Sequence, residues 1–272
     1  DKDVFTFASE LKQESRHIPF VLLTHFSKEI YRRIALQDTS AVDYMFSWHG
    51  NADLIVAIIK LFEDLKNAEN DIIDKGVQAI LLVEDSVRFY STYLPELYKL
   101  ILKQSSEFLK ETLNEQQRKF RKRSRPKILL ATNLDDALQM YTRYRNNLLG
   151  VISDVGFTVH KGDSADMEKL DAGIDLVKHI KADNEKMPIL LQSSQDSISA
   201  VAKELGVGFL RKYSKTLMLQ LSDFIKEEFG FGDFVFRDAN HVEYGRAANL
   251  KELEAIIREV PDEVLLYVTS KN

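Results

Sequence analysis

Short apolar runs alternate with amphipathic stretches along most of the chain. The runs end abruptly at polar or charged side chains, and between them apolar residues recur three and four positions apart, as in helices with one buried face. Strands that alternate with helices predict a parallel sheet covered on both faces. We therefore expect an α/β, doubly wound, five-stranded parallel sheet over residues 76–230, with strands at 77–83, 127–131, 148–153, 188–193 and 208–212.

Chemically useful side chains follow four of these predicted strands. The acid pair Glu84 and Asp85 follows the first, Asp154 the third, Ser193 the fourth and Lys212 the fifth. The carboxyl ends of parallel strands lie at one edge of the sheet, where ligands of such folds collect. We expect these side chains to form one site.

A long helical pattern over residues 86–122 follows the acid pair and contains Pro95, which predicts a bend or a new start. It ends in a basic run at 118–127, interpreted as a solvated helix end rather than a nucleic-acid contact. The apolar stripe of Phe108, Leu109 and Leu113 needs a partner. We expect that partner to be the first segment of the chain or a second copy in a homodimer.

Residues 1–75 carry the order helix, strand, helix, strand, helix, which repeats the later half of residues 76–230. Residues 19–24 correspond to 188–193 and 44–47 to 209–212, with Ser47 at the position of Lys212. No acid pair or reactive aspartate precedes these strands. We interpret this segment as a partial domain, degenerate or truncated, that cannot perform the chemistry.

The tail at 231–272 predicts a small module. Residues 234–237 and 242–246 alternate around a turn, as in a hairpin. Asn249, with Glu252 three residues on, predicts a capped helix. Residues 264–269 predict a final strand.

Composition narrows the classes of function. The net charge of −5 argues against general nucleic-acid binding, and the absence of cysteine excludes disulfides and thiolate metal sites. The six histidines show no metal-like spacing. No apolar run reaches the roughly 20 residues that span a bilayer. We expect a cytoplasmic protein without a membrane partner.

The motifs ILLVED, GVISD, PILLQSS and GFLRK, in this order, resemble the receiver domains of response regulators in bacterial two-component signalling. The resemblance covers about residues 77–230, and residues 1–72 resemble the later half of a second receiver. Two departures are Tyr213, where a proline usually follows the lysine, and a longer loop between Asp154 and Gly173. The tail is similar to a segment that joins tandem receivers to phosphoenolpyruvate synthase-like or pyruvate phosphate dikinase-like enzymes.

The resemblance implies a role for each residue at the strand ends. Asp154 would be the phospho-acceptor, supplied by a sensor histidine kinase or a phosphotransfer protein. The cofactor would be Mg²⁺, bound by Glu84, Asp85 and Asp154. Ser193 would donate a hydrogen bond to the phosphoryl group, and Lys212 would form an ion pair with it. Phe209 would be the aromatic switch residue. Beyond its own phosphorylation and dephosphorylation, no enzyme activity is expected.

The chemistry supports these roles without the family name. A carboxylate that attacks a phosphoryl group meets like-charge repulsion, which a hard cation held by oxygen ligands relieves. A lysine and a hydroxyl can stabilise the phosphoryl oxygens. One alternative is a pseudo-receiver scaffold that is never phosphorylated. Another is a haloacid dehalogenase-type enzyme, but Gly156 stands where that class needs a second aspartate.

Overall fold

The computed structural model describes residues 4–15, 18–25, 39–110, 125–163, 167–240, 242–248 and 250–270, without the side chains of 104–110, 250 and 270. The chain forms two compact units, Asp1–Met218 and Leu219–Asn272.

A five-stranded parallel sheet forms the centre of the first unit. Its strands are β3 (Ala79–Val83), β4 (Lys127–Ala131), β5 (Leu148–Asp154), β6 (Ile189–Ser193) and β7 (Gly208–Arg211). The spatial order is β4-β3-β5-β6-β7, the flavodoxin-like arrangement of doubly wound folds. The predicted fold class is confirmed.

The strand register brings the predicted site residues to one edge. Val83 pairs with Ser153, so Glu84 follows directly beside Asp154. Asp154 in turn pairs with Gln192, and Ser193 pairs with Arg211 immediately before Lys212.

Helices cover the sheet on both faces. They are α3 (Val87–Lys110), α4 (Leu134–Tyr144), α5 (Ala172–Asp183) and α6 (Ile198–Glu204). The odd-numbered positions of β3 and β6, such as Leu81 and Leu191, share a core cluster with α4, α5 and α6. Their even-numbered neighbours Leu82 and Leu190 are also buried. Because successive side chains of a strand point to opposite faces, both faces are covered.

The long helix α3 runs without interruption through Pro95. A new start of the helix at Pro95 is therefore wrong, and a bend there stays a prediction. Residues 111–124 and the side chains of Phe108 and Leu109 lie outside the described part of the chain, so the predicted continuation to residue 122 and its apolar stripe remain a prediction.

The first segment folds against the sheet domain within the same unit. It contains α1 (Val4–Glu14), β1 (Val21–Thr24), β2 (Tyr44–Ser47) and α2 (Asp53–Ala68). The strands β1 and β2 form a separate two-stranded parallel sheet. The Ser47 amide donates to the Ser91 hydroxyl of α3 at 2.9 Å.

The register of this pair corrects the predicted repeat by one residue. The Trp48 amide donates to the Thr24 carbonyl at 2.8 Å, as the Lys212 amide donates to the Ser193 carbonyl at 2.8 Å. With Thr24 and Ser193 equivalent, the position of Lys212 is therefore occupied by Trp48, not by Ser47. Sequence similarity alone does not resolve such a shift, because both strands are short apolar runs.

Helix α2 covers the outer edge of β4. Asp64 is fully buried and accepts a hydrogen bond from the Ile128 amide at 3.0 Å, and β4 is an edge strand among the strands that the structure describes. The Arg125 guanidinium donates to both Asp64 oxygens, at 2.6 and 3.0 Å, and the Tyr98 hydroxyl donates at 2.8 Å. An exposed strand edge is open to pairing with other chains, and this network closes it.

Part of the basic run was misinterpreted as a solvated helix end. Arg125 is 6% exposed and Lys127 is 5% exposed. Lys127 pairs with Asp71, 2.7 Å away, in the π-helical turn Glu69–Asp74 that follows α2. A basic run in the sequence does not reveal the buried carboxylates that its members meet. Residues 118–124 lie outside the described part.

Most of α7 (Leu217–Glu228) belongs to the second unit, which also contains the antiparallel hairpin β8 (Phe234–Arg237) and β9 (Glu243–Ala247). The predicted hairpin and the following helix, α8 (Leu250–Glu259), are confirmed. Asn249, the predicted cap, lies outside the described residues.

The predicted final strand at 264–269 is wrong, because Asp262–Ser270 forms helix α9. Acidic Asp262 and Glu263 in the first turn favour a helix start. Val264 and Val268, four positions apart, pack against the same small core as Phe236. The tertiary contact with the hairpin therefore outweighs the β-propensity of this apolar run.

Candidate functional site

Three carboxylates meet at the carboxyl edge of the sheet. Glu84 and Asp85 follow β3, and Asp154 ends β5. An oxygen atom from each lies within 4.8 Å of the other two. Glu84 is buried, whereas Asp85 and Asp154 are half-buried. The sheet therefore presents the three acids that the sequence predicted as one cluster.

Lys212 places its ammonium group between two of these acids. Its Nζ donates to Glu84 Oε1 at 3.1 Å, lies 2.8 Å from Oε2, and also donates to Asp154 Oδ2. The lysine side chain is only 6% exposed. A buried ammonium group is tolerable when carboxylates pair with it, and the carboxylates gain the same benefit.

The ionisation of the cluster reflects burial and crowding. Burial, with the nearby Asp154 charge, raises the pKa of Glu84 to about 8. Burial, Asp154 and Glu168 raise the pKa of Asp85 to about 6. Burial lowers the pKa of Lys212, but attraction to Glu84 and Asp154 outweighs it, and the net pKa is raised. The site therefore has excess negative charge, which a cation would relieve.

Ser193 and Phe209 lie on the two neighbouring strands. Ser193 is 6% exposed, and its hydroxyl accepts the Gln195 amide at 3.1 Å. This bond is a local turn and not a helix cap, because α6 begins only at Ile198. Phe209 packs partly buried against the core cluster. The phosphoryl contact of Ser193 and the switch role of Phe209 remain predictions.

Two glycines shape the surroundings of Asp154. A Cβ atom at Gly173, at the start of α5, would lie 2.1 Å from the Asp154 carbonyl oxygen. Only glycine lets the helix approach so closely after the long loop. A Cβ atom at Gly156 would lie 2.3 Å from Glu168 Oε1. The loop therefore brings a fourth carboxylate close to the acids.

Sequence reasoning missed several side chains at this edge. Gln192, the cross-strand neighbour of Asp154, is 1% exposed, and its amide atoms have no hydrogen-bond partner among the described residues. Phe89 on α3 lies against Lys212. A polar residue at an otherwise apolar strand position was the available signal for Gln192. No signal in the sequence pointed to Phe89, because its spacing matches an ordinary core stripe.

The carboxylate cluster fits Mg²⁺. Mg²⁺ prefers oxygen ligands and is commonly held by one or two carboxylates together with water and phosphate oxygens. Glu84, Asp85 and Asp154 supply oxygen ligands only, and Glu84 and Asp154 already accommodate the positive charge of Lys212.

Across the described ranges, no helix has the length and apolar content needed to cross a membrane.

Comparisons with known proteins give limited matches. No protein-family model and no curated protein matches the chain. Among solved structures, the chain is similar to a response regulator receiver domain protein from Clostridium thermocellum, with 20% identity, a TM-score of 0.37, and coverage of 56% of this chain and 94% of that one. It is also similar to the receiver domain of the hybrid histidine kinase CckA, with 20% identity, a TM-score of 0.30, and coverage of 56% and 98%.

Proposed function

We propose that the sheet domain is a phosphorylatable receiver in two-component signalling, with Asp154 as the phospho-acceptor. The observation that supports this most is the convergence of three carboxylates and a buried lysine at the carboxyl edge of a flavodoxin-like sheet. The donor would be a phosphohistidine of a sensor kinase or phosphotransfer protein. A carboxylate oxygen of Asp154 would form the new P–O bond, and the P–N bond to the imidazole would break.

Each neighbouring side chain would have a defined part. Glu84 and Asp85 would hold Mg²⁺ together with Asp154, and this cation would neutralise charge on the phosphoryl oxygens. Lys212 already contacts Asp154, and its ammonium group would shift to an oxygen of the transferred phosphoryl group. Ser193 would donate a hydrogen bond to another oxygen. Attack of water on phosphorus would later release inorganic phosphate and restore the Asp154 carboxylate.

The test is binding of beryllofluoride, a mimic of the phosphoryl group, in the presence of Mg²⁺. We expect saturable binding, followed by amide NMR, that requires Mg²⁺ and is lost in Asp154→Asn. The matched control is Asp163→Asn, in the loop that follows Asp154, which should bind normally. Absence of wild-type binding at millimolar Mg²⁺ would refute the proposal.

A pseudo-receiver scaffold is the second candidate. The buried network of Asp64, Arg125 and Tyr98 favours it, since that network firmly joins the first segment to the sheet domain. A scaffold would lack beryllofluoride binding although the fold is intact. The comparisons do not support the similarity of the tail to a segment of dikinase-like proteins, which stays a prediction. A cytoplasmic location, dimerisation and the domain boundaries at 75/76 and 230/231 also stay predictions.

A further inference from the structure

The ammonium group of Lys212 has an aromatic contact in addition to its two carboxylates. Its Nζ lies 4.2 Å from the ring centroid of Phe89, which stands in the first turn of α3. A cation over an aromatic face is attracted by the negative face of the ring, most strongly where water is excluded. Lys212 is 6% exposed, so this contact belongs to the stronger kind.

Phe89 is itself held by two tyrosines. Its ring stacks on Tyr93 with centroids 5.8 Å apart and an angle of 25°. The Tyr213 and Phe89 rings form a T-shaped pair, with centroids 5.1 Å apart and an angle of 63°. The guanidinium carbon of Arg88 lies over the Tyr213 ring, 5.5 Å from its centroid. Phe89 is therefore in contact with the ammonium group of Lys212 and with the rings of both tyrosines.

The backbone at Tyr213 is unusual. Its φ angle is 66°, and it is the one non-glycine residue with positive φ within the described ranges. This conformation is unfavourable for a residue with a Cβ atom, so surrounding contacts must maintain it. Tyr213 follows Lys212 directly, and its φ angle therefore sets the direction in which the chain leaves the lysine.

We propose that Phe89 and Tyr213 form an aromatic clamp that positions Lys212 for the phosphoryl group, where receivers usually have a proline after the lysine. Tyr213 fixes the backbone and supports Phe89, and Phe89 contacts the ammonium group in addition to its two carboxylates. Both are positioning residues, and their effect on phosphoryl binding rests on the proposed function. The face of a ring tolerates small movements of a cation, so the contact can persist while Lys212 moves from Asp154 to a phosphoryl oxygen.

The first test needs no ligand. The ε-methylene protons of Lys212, assigned with Lys212→Arg, should be shifted upfield by the ring current of Phe89. Phe89→Leu should abolish this shift, whereas Phe89→Tyr should preserve it. An unshifted wild-type signal, or a shift that survives in Phe89→Leu, would overturn the clamp.

The second test measures beryllofluoride affinity with Mg²⁺. Loss of the cation–ring contact in Phe89→Leu should weaken binding about 5- to 30-fold. Tyr213→Phe should bind like the wild type, and Tyr213→Gly should bind more weakly although glycine relieves the positive φ angle. If Tyr213 merely fills a strained turn, Tyr213→Gly would bind as well as or better than the wild type, which would overturn its positioning role.

The two proposals fail in different ways. Without any beryllofluoride binding by the wild type, the proposed function fails, and the ring-current shift still decides whether the clamp exists. With wild-type binding that Phe89→Leu leaves unchanged, the clamp fails while the proposed function stands.

Discussion

Two parallel strand pairs, β1–β2 and β6–β7, share one backbone arrangement but differ in the chemistry at their ends. In both, an amide just beyond the second strand donates to the last carbonyl of the first, from Trp48 to Thr24 and from Lys212 to Ser193, each at 2.8 Å. The indole of Trp48 cannot replace the charge of Lys212. Backbone geometry alone therefore does not create the site.

Neighbouring strands make the second difference. Strand β6 lies between β5 and β7, so Gln192 stands beside Asp154 and is 1% exposed. Its equivalent in β1 is Leu23, which is 41% exposed. The polar residue is thus the buried one and the apolar residue is the exposed one. Burial of a strand position depends on what the fold places beside it, more than on the side chain itself.

Loss of the buried ion pair that joins the first segment, which contains β1 and β2, to the sheet domain, which contains β6 and β7, should have the largest effect. Asp64→Ala leaves Arg125 buried without its carboxylate, and loss of one partner of a buried pair costs about 3–5 kcal/mol. Urea denaturation should show this loss in the free energy of unfolding. Glu63→Ala is the control, because Glu63 is half exposed and its carboxylate lies 3.9 Å from the Arg125 guanidinium, farther than the 2.6 Å of Asp64. Its effect should stay below about 0.5 kcal/mol. A similar loss for both variants would contradict a specific role of Asp64.

Substitution of Lys212 and of its structural equivalent Trp48 tests whether the lysine and the neighbouring acids make the difference between the two strand pairs. Lys212→Ala should weaken Mg²⁺-dependent beryllofluoride binding about 10- to 150-fold, because charge-assisted hydrogen bonds contribute about 1.5–3 kcal/mol. Trp48→Lys should leave one bound beryllofluoride per chain, since among the described residues the one cluster of three carboxylates is that of Glu84, Asp85 and Asp154. Titration with ¹⁹F NMR detection measures both affinity and stoichiometry. A second bound equivalent in Trp48→Lys would show that the lysine alone was missing.

The pH dependence of stability should come from Glu84 and Asp85 at the carboxyl edge of the five-stranded sheet. The folded-state pKa of Glu84 is about 8 and that of Asp85 about 6, above the unfolded values of roughly 4.3 and 3.9. The folded protein then binds more protons than the unfolded chain, so stability without Mg²⁺ should fall as pH rises from about 5 to about 8. Urea denaturation at several pH values across this range gives the free energy of unfolding as a function of pH. This dependence should be weaker in Glu84→Gln and unchanged in the exposed control Glu96→Gln. Stability that rises in the wild type would contradict the raised pKa values.

Making β6 resemble β1 should have the smallest effect. Gln192→Leu removes a buried amide without a hydrogen-bond partner among the described residues, and should raise the free energy of unfolding by about 1 kcal/mol. Thermal denaturation measures it, with the exposed Gln195→Ala as the neutral comparison. A clear loss of stability would show that the amide has a polar role in the folded state.

Much of the sheet could be predicted because each strand is a short apolar run with an abrupt polar end. Strand β4 at Lys127–Ala131 matches its predicted bounds, and Asp154 ends β5 as expected. The prediction of a strand at 264–269 was wrong because apolar, β-branched residues fit either a strand or a buried helix face. Here the contact with Phe236 favours the helix.

The candidate site was predictable as a set but not as a network. Parallel strands place the residues that follow them at one edge of the sheet, so the sequence alone predicts that Glu84, Asp85, Asp154 and Lys212 lie close together. Their pairing, the Phe89 contact and the position of Trp48 could not be derived, since they depend on register and on side-chain directions across distant elements.

The amino-acid sequence by itself determined the doubly wound fold and the acids and lysine at its edge, because periodicity and strand ends are local properties of the chain. Only the tertiary structure decided which charges meet. Asp64 lies 61 residues from Arg125, and Glu84 lies 128 residues from Lys212, yet each pair is in contact. Burial makes such contacts strong and selective, and burial exists only once the chain has packed.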